Sequence, residues 1–390
     1  MATSDSERRR LYTQVSHDPV DVRHHGAVSM PVYQSSLFAF DTYDEFEEAM
    51  KDVLAATVYS RGNNPTVMYL EEKIARLEGG ERARCFASGM GAISAVLFAL
   101  AGSGDHVVCV DQAYGPTREL LGDLSARFNV EASFVDGADT EAFAAAIRPN
   151  TKLFYLESPT SGLFEMQDLP ALARLAKAHG ILTAIDNSWA TPYFQKPLAL
   201  GCDLVVHSLT KYFSGHSDSV GGVVVGSREL VGLIGARSYL NLGAAMAPQT
   251  ASLITRGLRT LPLRLERHQA SALKIAEHLA AKTDVARVNH PGLPSYAQQE
   301  LAARQLSGYG GLFSFVARHS VEKMKRWATD LEYFRIGVSW GGYESLVTVG
   351  TTPDRFNADG SAPAIVRLYI GIEDADELIA DIERAWSRLY

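Results

Sequence analysis

The chain has few cysteines, no sustained run of one charge and no long apolar stretch. Its three cysteines among 390 residues, Cys85, Cys109 and Cys202, stand far apart and form no Cys-x-x-Cys pair. That spacing excludes a disulfide framework and a zinc knuckle. Each lies in or beside an apolar segment, so they read as reduced, buried thiols of a cytoplasmic protein. Charged residues make up 21% of the chain without a block of one sign, and the formal net charge is -8. That balance argues against nucleic acid, whose binders carry a basic patch. The longest apolar run, Ala95–Ala101, is far shorter than the roughly 20 residues that cross a bilayer. The opening MATSDSERRRLYTQ lacks the apolar segment of a secretory signal. Walker loop, zinc-binding helix motif and nucleophile elbow are all missing, as are internal repeats.

What is there is a long, 46% hydrophobic chain, enough for one large domain and a smaller one. Residues 1–55 are weakly periodic and are expected to form an extended arm against a partner subunit. Residues 56–250 form the expected large α/β domain. From Thr66 the pattern sharpens: Val67, Leu70, Ile74 and Leu77 recur at helical spacing, and Gly79-Gly80 follows as a stop. Short apolar runs then alternate with helical stretches such as Arg118–Phe128 and Leu169–His179. The runs are Arg84–Ala87, Val107–Val110, Ala132–Val135, Leu153–Leu156, Ile181–Ile185, Leu204–Val206 and Val223–Val225. Nearly continuous apolar strands between helices predict a mostly parallel, seven-stranded sheet covered on both faces. Residues 251–390 read as a smaller α+β domain. One long helix is expected over Leu258–Ala281, then strands at Gly311–Val316, Ser345–Val349 and Ile365–Ile370. A final helix carries Leu378, Ile379, Ile382, Ala385 and Trp386 on one side.

Parallel sheets bind ligands beyond the carboxyl ends of their strands, so the residues at those ends are the candidates. The first strand is followed by Ser88-Gly89-Met90-Gly91 opening an apolar helix, a seat suited to phosphate. Asp111 and Tyr114 follow the second, Asp186 and Asn187 the fifth, and Ser208, Thr210 and Lys211 the sixth. A phosphate seat, an aromatic ring, a carboxylate and a lysine on one rim are what pyridoxal phosphate needs. The lysine amine condenses with the aldehyde as a Schiff base, the acid pairs with the pyridine nitrogen, and the aromatic ring stacks. Each element alone has an ordinary reading: a snorkelling lysine, a capping aspartate, a loop tyrosine. Their co-occurrence carries the inference.

One competing motif deserves weighing. Gly89-Met90-Gly91-Ala92-Ile93-Ser94 nearly matches the dinucleotide fingerprint, with Asp111 about twenty residues on, where a ribose-binding acid belongs. The third glycine is missing, and the unit does not open the fold. His207 and His216 lack metal-ligand spacing with other ligands and read as structural polar residues.

The chain resembles the Cys/Met-metabolism family of pyridoxal-phosphate enzymes, which includes cystathionine lyases, cystathionine γ-synthase, methionine γ-lyase and homoserine-ester sulfhydrylases. The resemblance runs from about residue 30 to the C-terminus. It rests on "YSRGNNPT" (59–66), "ASGMGA" (87–92), "AYGPT" (113–117), "AIDNSW" (184–189), "SLTKYFSGHSD" (208–218), "SWGGYESL" (339–346) and "VRLYIGIED" (366–374). It implies the aspartate-aminotransferase-type fold of PLP-dependent transferases. It further implies that Lys211 is the Schiff-base lysine and proton shuttle, and that Asp186 pairs with the pyridinium. Tyr114 would stack on the ring, and Gly89, Met90, Ser208 and Thr210 would hold the phosphate. Tyr59 and Arg61 would reach the phosphate of a neighbouring subunit, within a homotetramer built from dimers that share active sites. Arg367, assisted by Ser339, would clamp the α-carboxylate of a small amino-acid substrate. Within the family, Trp340, Pro116 and Ser161 resemble bacterial cystathionine β-lyases, whereas "YSRGNNPT" is nearer the γ-acting pattern.

Overall fold

In the computed structural model, residues 5–17, 24–351 and 363–390 are described. Parts of the expected arm (1–4 and 18–23) and of the expected C-terminal domain (352–362) lie outside them. The large sheet contains β1 (Arg82–Phe86), β2 (His106–Val110), β3 (Glu131–Val135), β4 (Thr151–Glu157), β5 (Leu182–Asp186), β6 (Leu204–Ser208) and β7 (Gly222–Gly226). Their order is β1-β7-β6-β5-β4-β2-β3. Neighbours among β3, β2, β4, β5 and β6 pair in parallel, and only β7 runs against its two neighbours. The seven expected apolar runs each lie in or overlap one of these strands.

Both faces of this sheet are packed. One core gathers Val108, Phe154, Ile185 and Val205 beneath Ala92 and Val96 of the Gly89–Leu100 helix. On the other, Cys85, Val223 and Val225 meet Leu70 and Ile74 of the Pro65–Glu78 helix. That helix starts where Asn64 accepts the Thr66 N–H and Pro65 fixes the first turn. It stops at Gly79, whose φ of 83° favours a residue without Cβ. β3 at the sheet edge is partly exposed.

The smaller sheet has order β10-β11-β12-β9-β8. Its strands are β8 (Val285–Asn289), β9 (Leu312–Ala317), β10 (Arg335–Ile336), β11 (Leu346–Thr351) and β12 (Ala364–Tyr369). β9, β11 and β12 match the expected runs. β8 and β10 were not foreseen, because VARVN and the exposed Arg335-Ile336 pair carry little apolar pattern.

The expected arm is not extended throughout. Residues 5–16 form a helix that docks on its own chain, since Leu11 and Val15, one turn apart, are buried in the same core as Leu70 and Tyr193. From about residue 27 to Thr42 the chain lacks helix and is mostly exposed, with Val28 and Leu37 largely open to solvent, and a short helix, Tyr43–Met50, follows. The helix expected over Leu258–Ala281 is present as Leu261–Ala280, and a separate helix, Pro248–Leu258, precedes it. Pro262 has no N–H to give the Leu258 carbonyl, so the first helix ends there. The first crosses the expected boundary at 250/251. The second joins the cores, with Leu261 and Leu265 in one and Ala272, Ile275 and Leu279 in another.

Ile185 is fully buried in β5, next to the residue that ends the strand. Ile185→Ala should cost about 2–5 kcal/mol, read as a lowered midpoint in denaturant-induced unfolding. A change within error would mean the sheet core repacks freely.

Candidate active site

β4, β5 and β6 lie side by side in parallel register, with Glu157 opposite Asp186 and Asp186 opposite Val206. Their carboxyl ends therefore bring Glu157, Asp186 and Ser208 to one rim. A cavity of about 520 Å³ opens there. Its wall includes Gly89, Met90, Tyr114, Asp186, Ser208, Thr210, Lys211, Ser339, Trp340 and Arg367. Ten of the expected site residues thus meet in one place. Tyr59 and Arg61 are not among its lining residues. Tyr59 is half exposed, and the Arg61 guanidinium donates to the Leu240 carbonyl at 2.9 Å and lies 5.7 Å from the Tyr59 ring centre.

The phosphate seat is the N-terminus of the Gly89–Leu100 helix. Ser88 caps it by accepting the Gly91 N–H at 2.9 Å, and Gly89 and Met90 of its first turn line the cavity, where a helix N-terminus favours an anion. A Cβ on Gly222 of β7 would lie 2.2 Å from the Ser88 carbonyl oxygen, so only glycine lets this turn sit against the sheet. Across the seat, Thr210 is anchored through its hydroxyl, which accepts the Gly221 N–H at 3.1 Å. Ser188 accepts the Ser208 N–H at 2.7 Å. Hydroxyls and a helix N-terminus make a donor set that fits a phosphate.

Asp186 accepts the Ser188 N–H at 2.9 Å. Burial raises its carboxyl above the usual range, opposed by the Ser188 hydrogen bonds and then by His207 and Lys211. His207 is buried behind the sheet, 3.4 Å from Glu78. His216 bonds the Ser214 carbonyl. Both have structural contacts, as expected. Asp111 does not line the cavity.

Lys211 is half-buried. Burial, and then the Arg367 cation, push its amine down to about 8, against the pull of Asp186. The amine donates to the Ser339 hydroxyl and stands 5.2 Å from the Trp340 ring centre. Ser339 holds a φ of 77°, a left-handed conformation that costs on the order of 1–3 kcal/mol for a residue with a side chain. At Gly341, φ is 93°, and a Cβ would press to 2.7 Å from the Lys211 backbone. The strap 339–342 therefore lies directly over the lysine. Tyr369 ties it down by donating to the Gly342 carbonyl at 2.7 Å. Tyr212, next to the lysine, meets Trp340 edge to face at 5.3 Å.

Comparison with known proteins agrees with this geometry. The family described as "Cys/Met metabolism PLP-dependent enzyme" matches residues 13–387. The chain belongs to it. The enzyme is 40% identical over 377 residues to the L-methionine gamma-lyase of Pseudomonas putida, covering 95% of this chain and 94% of that one. It is 38% identical over 384 residues to the cystathionine beta-lyase of Lactococcus lactis subsp. cremoris, covering 96% and 98%. The crystal structure of metB from Corynebacterium glutamicum superposes with a TM-score of 0.89 at 35% identity, covering 98% of each chain. The protein is a pyridoxal-phosphate-dependent lyase of sulfur amino-acid metabolism, on the fold shared with that structure.

Motif reading assigned no role to Glu157, Ser188 or Tyr369. Glu157 ends β4 as Asp186 ends β5, so the strand-end rule reaches it. Its apolar neighbours "LFYLESP" drew attention to the strand rather than to its last residue.

In cofactor-free enzyme, acylation of Lys211 by an amine reagent, mapped by peptide mass spectrometry, should level off with a midpoint near pH 8. Ordinary lysines keep gaining reactivity towards about pH 10.4. Arg367→Met removes a cation that disfavours the protonated amine, so the midpoint should move up. A wild-type midpoint at the ordinary lysine value would contradict the electrostatic reading.

Proposed function

We propose that the enzyme catalyses β-elimination of L-cystathionine, or of a related cysteine thioether, to the thiol, pyruvate and ammonia. Bound pyridoxal phosphate supplies the electron sink that makes the substrate Cα proton acidic. The observation that carries the substrate reading is Trp340, which is 7% exposed and packed on Tyr212 beside the Lys211 amine. A wide ring at that wall narrows the space over the reacting carbons, and in this family the resemblance links it to β-acting members.

Each residue then has a task. Lys211, its amine lowered towards neutrality, takes the Cα proton. The Cβ–S bond breaks, and the departing sulfur receives a proton from Lys211 or from the Tyr114 hydroxyl. Water completes the balance, because L-cystathionine plus water equals homocysteine, pyruvate and ammonia. Asp186 keeps a negative partner for the pyridine nitrogen, and Tyr114 covers the ring. Gly89, Met90, Ser208 and Thr210 hold the phosphate. Arg367 and Ser339 hold the substrate carboxylate, so that the Cα–H bond faces the amine. General acid–base transfer of this kind contributes roughly 10² to 10⁴-fold.

The exposed Tyr59 and the Arg61 nearby support a homotetramer of active-site-sharing dimers, in which they serve the neighbouring subunit's phosphate. Three free, buried cysteines suit a cytoplasmic enzyme. A γ-acting enzyme is the second reading. The 40% identity to an L-methionine gamma-lyase and the "YSRGNNPT" segment favour it, and it uses the same cofactor residues.

Lys211→Ala should abolish turnover while circular dichroism and melting stay native; substantial residual activity would remove Lys211 from the reaction. With purified enzyme and L-cystathionine, pyruvate with homocysteine is the expected product pair. 2-Oxobutanoate with cysteine would instead establish the γ-acting reading, and leave the role of Trp340 misassigned.

A further inference from the structure

Glu157 faces the same cavity, and none of the tasks above uses it. It is 5% exposed, and its two carboxyl oxygens serve two different loops. One accepts the Tyr114 N–H at 2.6 Å and the other the Ser161 N–H at 2.7 Å. Tyr114 follows β2, at the start of the Gly115–Phe128 helix, whereas Ser161 follows β4. The Ser161 carbonyl in turn accepts a hydrogen bond from the Arg367 guanidinium at 3.4 Å. A continuous path therefore joins the Tyr114 backbone, the Glu157 carboxyl, the Ser161 peptide and Arg367.

We propose that Glu157 is a positioning residue that sets, through one bidentate carboxyl, both the placement of the Tyr114 ring over the cofactor and the placement of Arg367 for the substrate carboxylate. The proposal rests on the roles given above to Tyr114 and Arg367. A carboxylate is suited to this because it accepts at both oxygens, while a glutamine offers one acceptor and turns an NH₂ towards the other N–H. Glu157 stays in place despite an unfavourable setting. Burial, and then the charge of Asp186, push its carboxyl up to about 7, and the Ser161 and Tyr114 hydrogen bonds oppose them. Arg367 also lies within electrostatic reach. A side chain wanted only to fill space there would be better apolar.

The test uses the holoenzyme and Glu157→Gln, with whichever of L-cystathionine or L-methionine the wild type turns over. Losing one charged acceptor should raise KM on the order of tenfold, with a smaller fall in kcat. Affinity for glycine, which has no β-substituent to eliminate, should weaken in parallel when followed by cofactor absorbance. The visible circular-dichroism band of the bound cofactor should change shape or intensity, because the ring above it is no longer pinned. Glu157→Asp, which keeps the charge but is too short to reach both N–H groups, should show the same changes to a lesser degree. It carries the test if the glutamine variant does not fold. Unchanged KM, glycine affinity and dichroism in a folded variant would overturn the proposal. Arg367→Lys is the control for the underlying assignment. If it leaves KM and glycine affinity unchanged, the role of Arg367 has failed and this proposal with it. If it impairs both while Glu157→Gln does not, only the positioning role of Glu157 has failed.

Discussion

The site depends on keeping a lysine amine partly out of water between a guanidinium and a carboxylate. Fully solvated, Lys211 would be an ammonium at neutral pH, useless as a nucleophile or base. Burial and Arg367 lower its proton affinity, while Asp186 restrains the shift enough that the amine remains protonatable. A reacting amine must both lose and regain a proton, so a value near 8 serves better than a larger displacement.

That arrangement requires the sheet. Parallel neighbours in register bring the ends of β4, β5 and β6 to one level, so carboxyl groups distant in sequence become adjacent across strand pairs. Cores on both faces of the sheet hold those ends rigid. The second sheet contributes the other wall. β12 carries Arg367, and Tyr369 of the same strand fastens the 339–342 strap over Lys211. Arg367 and the strap over Lys211 are thereby linked through one strand.

Relatives that act at the β-carbon and at the γ-carbon stand at nearly equal distance from this chain. The cofactor machinery is common to both, because the same electron sink and the same lysine serve either elimination. Changes of a few atoms in a pocket wall alter which bond lies in the reactive orientation, and here that wall includes Trp340 and Ser161.

Much of this was legible in the residues. Apolar runs marked the strands of the large sheet, because a strand buried on both faces is mostly apolar. The strand-end rule pointed to Lys211, Asp186, Tyr114 and the Gly89 turn, and the fold gathers them around one cavity because all follow strand ends of the same sheet. β8 and β10 escaped, because an edge strand of mixed composition leaves no periodic mark. The docking of the first helix also escaped, because Leu11 and Val15 are too few to announce a partner. What the sequence by itself determined was the cofactor and the fold class, since those follow from residue type at element boundaries and from the apolar runs between them. Only the tertiary structure decided that Glu157 bridges Tyr114 to Ser161 and that Ser339 and Trp340 close over Lys211. The contact between Lys211 and Ser339 joins residues 128 positions apart, and no local pattern encodes which distant loops a folded core brings into hydrogen-bonding distance.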